Sequence, residues 1–190
     1  MAMSQVEASI LEFKDQKSFE KWLEKNFEDQ TGLWLKLAKA GKGITSITYP
    51  EALDVALCFG WIDGQKKSLD DHHWLQKFTP RRKRSIWSLI NTEKAMALVD
   101  SGRMRPSGQR EIDLAREDGR WDAAYSGQRT AAVPAEIKAL LDADPAAAAF
   151  FAGLNSTNRY AYIFRMGNAK RADTKARLVE KLREGHLFYP

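Results

Sequence analysis

The sequence is poor in the residues that disulfide and metal chemistry require. One cysteine, Cys58, and three histidines occur in 190 residues. That excludes an internal disulfide framework and fits a reducing compartment. Cys58 falls inside an apolar helical pattern, where a thiol packs. No HExxH or CxxC spacing occurs. Asp70-Asp71-His72-His73 offers four donors, but adjacent residues on a strand point to opposite faces, so a solvated hairpin tip is expected there and no metal site. A Gly-x-Ser-x-Gly elbow is also absent. The chain has no run of 18 apolar residues and no basic leader ahead of an apolar core. The expectation is therefore no transmembrane segment and a cytoplasmic location. There is no internal repeat or low-complexity linker, and the length suits one domain, or one domain with a helical addition.

What the sequence does contain is concentrated. The net charge is +5, and residues 61–91 supply seven basic groups against three acidic ones. The window GWIDGQKKSLDDHHWLQKFTPRRKRSIWSLIN, Gly60 to Asn91, holds three of the six tryptophans, a turn-prone Asp63-Gly64 pair and a basic run from Arg81 to Arg84. Arginine forks, serine hydroxyls and an asparagine amide gather where a helix is expected to start, and that combination suits an anion. The candidate ligand-binding residues are Trp61, Asp63, Gln65, Arg81, Arg82, Ser85, Trp87 and Asn91. Two structural alternatives stand beside this reading. The tryptophans fill the core while the basic run faces water, or Asp63 is paired with Arg81 or Arg82, which removes that cation from a ligand. Ser85 and Ser88 also suit helix capping. No residue is assigned a catalytic role, and no motif asks for a cofactor.

The hydrophobic periodicity predicts an α+β fold, with a small three-stranded antiparallel sheet packed with helices over 1–120 and an all-helical unit over 121–190. Residues 1–9 read as a loose tail. Phe19, Trp22, Leu23 and Phe27 form one helical stripe, and Leu33, Leu35 and Leu37 alternate as in a half-buried strand. The loop AGKGITS at 40–46 lacks the earlier glycine and following helix of a phosphate-binding P-loop. Thr48 and Glu51 form a capping box for a buried helix that Gly60 ends. Trp61–Leu69 and His72–Phe78 read as a hairpin turning at Asp70-Asp71. A helix capped by Ser88 or Asn91 and closed by Gly102 follows, then one after Pro106-Ser107. Residues 120–133 read as irregular. Beyond them Pro134 and Pro145 sit in first turns, Asn155 or Ser156 opens a helix, and Thr174–Arg183 is the last.

Four stretches, YPEALDVALCFGWIDGQ (49–65), KFTPRRKRSIWSLIN (77–91), SGRMRPSG (101–108) and a helical unit over about 133–185, resemble the YdeI/OmpD-associated, bacteriocin-protection family. The resemblance implies a protein associated with protection against bacteriocins or cationic antimicrobial peptides, and with stress resistance. It implies no reaction and no catalytic residue. The expected function is a non-enzymatic protective factor with a small anionic ligand. The alternatives are an uncharacterised enzyme using the same pocket and a nucleic-acid-binding protein. The latter would use Arg81–Arg84 with Arg159, Arg165, Lys170, Arg171, Lys175 and Arg177, although no RNP, zinc-finger or GxxG motif accompanies them. The apolar ending His186–Pro190 either docks a partner, packs in a homodimer, or tucks onto its own unit.

Overall fold

The computed structural model describes residues 8–127 and 131–190. Most of the expected tail and part of the stretch expected to be irregular, residues 1–7 and 128–130, lie outside them. The chain divides into two compact units, one ending at Ala124 and the other running from Tyr125 to Pro190.

The first unit is α+β, but its sheet has four strands in mixed orientation. The strands are β1 (Ile10–Glu12), β2 (Leu33–Ala38), β3 (Trp61–Ser68) and β4 (His73–Pro80), in the order β1-β2-β4-β3. This corrects the expectation of three antiparallel strands. β1 joins β2 in parallel, with Leu11 opposite Leu35. It escaped notice because three residues are too few to show an alternation. Its parallel pairing needs a crossover, which α1 (Gln16–Asn26) provides. Asp15 caps that helix by accepting from the Ser18 amide at 2.8 Å.

β2 buries every second residue, as a strand covered on one face must. Leu33, Leu35 and Leu37 form a core with Phe78 of β4, Phe19 and Leu23 of α1, and the apolar side of α2 (Tyr49–Cys58). The Thr48 cap of α2 forms its box with Glu51. Gly60 follows at φ +79°, a conformation that L side chains avoid.

The Asp63-Gly64 pair is no turn. It lies within β3, where pairing with β4 shifts register between Asp63 and Lys66. The buried Gln76 side chain enters this bulge and donates to the carbonyls of Gly64 and Gln65 at 3.0 and 3.2 Å. The hairpin tip is closed by Asp70, whose Oδ1 accepts from the amides of His72 and His73, both at 2.7 Å. Ser88 caps α3 (Leu89–Asp100), and α4 (Pro106–Glu117) completes the unit.

The second unit contains α5 (Ala135–Asp142), α6 (Pro145–Gly153), α7 (Ser156–Asn168) and α8 (Ala172–Arg183) around Ile137, Leu141, Phe151, Tyr162, Met166 and Leu182. Asp144 and Asn155 cap α6 and α7. Pro134 stands at the N-cap of α5, one place before its expected first-turn position. The apolar ending folds back within this unit, with Phe188 against Tyr162 at 4.8 Å between ring centroids. Among the described residues no helix is long and apolar enough to cross a membrane.

Candidate functional site

The conspicuous central stretch is divided between core and surface. Trp61 is fully buried, and its indole N–H donates to the Phe27 carbonyl at 2.7 Å. Trp87 is buried as well and packs against Trp121 at 4.9 Å. Arg81 is only 6% exposed. Its guanidinium lies 3.4 Å from the centroid of the Trp87 ring, and Nη1 donates to the Ile86 carbonyl at 3.2 Å. The Arg81 amide donates to the Gly60 carbonyl at 3.0 Å, carrying the backbone pairing one residue past β4. The guanidinium and the indole thus form a wall and not an open clamp.

The other expected residues scatter. Arg82 is exposed, and its amide donates to the Ser85 hydroxyl oxygen at 2.9 Å within a turn. The Ser85 carbonyl accepts from Arg120 at 2.8 Å. The Asn91 amide donates to the Ser88 hydroxyl at 3.2 Å, so Asn91 belongs to the first turn of α3. Asp63 accepts from the Tyr49 hydroxyl at 2.8 Å, a phenol where an arginine was the expected alternative. Gln65 is exposed within the bulge of β3.

A hollow of about 230 Å³ does exist beside Arg81, with partly different walls. Gly60, Pro80 and Arg81 form one side. Glu28 and Gln30, from the segment after α1, form another, and Ser107, Arg110 and Glu111 of α4 complete it. The α4 residues follow i, i+3, i+4 spacing and share one helix face. Close backbone approach brings them there. A Cβ on Gly60 would lie 2.9 Å from Glu111 Cγ and 3.0 Å from the Ser107 carbonyl oxygen. A Cβ on Gly108 would lie 2.3 Å from the Cys58 carbonyl oxygen. The start of α4 is also tied by the Arg105 amide, which donates to the Cys58 carbonyl at 3.1 Å, and by Arg105 Nη2, which bonds Glu20 at 2.8 Å.

The sequence reading missed Glu28, Ser107, Arg110 and Glu111. The available signal was the Pro-Ser-Gly helix start followed by polar residues at helical spacing. The hollow is therefore of mixed charge. Burial holds the Glu111 carboxyl above its ordinary range, opposed by the positive charges of Arg110, Arg81 and Arg120. Cys58 offers no thiolate, because burial pushes its thiol up to about 11. Among the described residues no group of three or more His, Cys, Asp or Glu side chains is placed to hold a metal ion.

Fold and site together describe an α+β unit with a small polar hollow, followed in sequence by a helical unit with its own core. The chain belongs to the family of a domain of unknown function, DUF8412, whose model matches residues 11–111, more than half of the chain. Residues 130–185 match the family described as Bacteriocin-protection, YdeI or OmpD-Associated. The motif resemblance to that family thus holds over the helical unit, while the tryptophan- and arginine-rich motifs lie in the other match. Comparison with curated proteins and with solved structures found no match.

Proposed function

We propose that the protein is a non-enzymatic protective factor of the bacteriocin-protection type, and that its α+β unit binds a small hydroxylated anion in the hollow beside Arg81. The protective class is supported by the family match over 130–185. The binding reading rests on one observation, the Arg81 guanidinium fixed against Trp87 in the wall of a polar hollow. A cation held by stacking keeps a fixed positive potential there. Arg110 is exposed on α4 and adds a fork free to close on a carboxylate or phosphate.

The two carboxylates narrow the ligand further. Glu28 and Glu111 repel a bare polyanion but accept from hydroxyl groups, so an acidic sugar or hydroxy acid satisfies both kinds of wall. Size agrees, since the hollow is smaller than the roughly 300–1,000 Å³ of sites for drug-sized ligands.

Trp87 lies behind Arg81 and reports occupancy. Titration with galacturonate, malate and inorganic phosphate, followed by tryptophan fluorescence, is expected to give saturable changes for the hydroxylated anions. Arg110→Ala should weaken them about tenfold, the worth of a charge-assisted hydrogen bond. A folded protein that responds to none of the three would refute the reading.

A further inference from the structure

The helical unit contains a second hollow, of about 330 Å³. Its walls are aromatic. Tyr160 and Phe164 project from α7, with ring centroids 5.9 Å apart, and Tyr125 meets Phe164 edge-on at 5.0 Å. Ala161 lies between them, and Tyr189 closes the hollow from the end of the chain.

The Tyr189 wall is built into the fold. Asn158 is fully buried; its Oδ1 accepts from the amides of Phe188 and Tyr189 at 2.9 and 3.0 Å, and its Nδ2 donates to the Tyr189 carbonyl at 2.8 Å. A fully buried amide used to hold a chain end costs desolvation, and here the result is a cavity wall. The Tyr160 ring is fixed too, because its hydroxyl donates to the Ser126 carbonyl at 3.1 Å.

Among the described residues one cation lines this hollow. Arg165 stacks on Phe188, its guanidinium 3.8 Å from the ring centroid, and Nη1 donates to the Ala161 carbonyl at 3.2 Å. Unlike Arg171, Arg177 and Arg183, it has no carboxylate in salt-bridge contact among the described residues. A guanidinium so oriented retains donors for an anion, and flat rings around it exclude water and stack on another ring.

We propose that this hollow binds a small aromatic anion, with its ring against Tyr160 and Phe164 and its carboxylate or phosphate on Arg165. The probes are benzoate and phenyl phosphate, with acetate and benzyl alcohol as controls for ring and charge. Binding is read on the full chain by calorimetry and by ¹H–¹⁵N spectra.

Both aromatic anions are expected to saturate, moving the amides of Ala161, Phe164, Arg165 and Tyr189. Each control should bind at least about tenfold more weakly, and Arg165→Met should weaken benzoate by about the same factor while leaving benzyl alcohol unchanged. Equal affinity for benzyl alcohol, undiminished binding by folded Arg165→Met, or no saturable response would overturn the proposal. Should Arg165→Met fail to fold, Thr157→Phe fills the hollow from the exposed start of α7. Benzoate binding that survives Thr157→Phe would likewise overturn it.

Discussion

Arg81 has to meet the cost of leaving water with the contacts it makes inside. A desolvated cation over an indole gains about 2 kcal/mol, and a hydrogen bond from a charged donor about 1.5–3 kcal/mol. Lysine cannot replace the flat fork, because its ammonium is compact and strongly hydrated. Arg81→Lys is expected to lower stability by about 1–3 kcal/mol in urea denaturation. An unchanged midpoint would show that stacking on Trp87 contributes nothing.

Cys58 gives a second test at this scale. A raised thiol value means that the neutral form persists until about pH 11. At pH 8 a thiol reagent is therefore expected to label the protein slowly when folded and rapidly in denaturant; rapid labelling of the folded chain would contradict the burial. The chemical type of these residues was readable in the sequence, but their surroundings were not. Asp63-Gly64 has turn composition, yet the Gln76 side chain, twelve residues away, converts the site into a bulge.

Helix starts were the most legible elements, because capping is settled within four residues. Thr48 with Glu51 forms the capping box its spacing announced, and Ser88 and Asn155, each one of two expected positions, are the caps of α3 and α7. β1 was illegible for the opposite reason, being a strand only through its pairing with β2. The decisive element contact is between the end of α2 and the start of α4. Nothing local marks Gly108 as special, since a glycine in a first helical turn is unremarkable. Its importance arises from the Cys58 carbonyl oxygen, against which any side chain would clash. Gly108→Ala is expected to cost about 1–3 kcal/mol by overpacking and to impair ligand binding by displacing Ser107, Arg110 and Glu111. A variant as stable as the wild type, with binding intact, would show that the close approach is dispensable.

At the scale of the whole molecule, each unit closes its own core, one around Phe19, Leu35, Trp61 and Phe78, the other around Ile137, Tyr162, Met166 and Leu182. A segment that buries its own apolar residues can fold alone, although one this short is marginal. Residues 125–190 expressed separately are expected to show helical circular dichroism and a cooperative thermal transition, and a coil spectrum would contradict an independent core. The helical unit was legible as such from its helix starts and apolar stripes. The hollow of the α+β unit was legible only in part. Arg81 and its indole lie close in sequence, whereas Glu28 and the α4 residues reach the same place through tertiary contacts that no local pattern carries.

The central claim is that the hollow beside Arg81 takes a small hydroxylated anion. Its most direct test is a ¹H–¹⁵N titration of the full chain with galacturonate. The predicted result is saturable movement of the Gly60, Arg81, Ser107 and Glu111 amides and of the Trp87 indole N–H, strongly reduced in Arg110→Ala. A folded chain whose spectrum stays still, or moves only at residues remote from these, would contradict it.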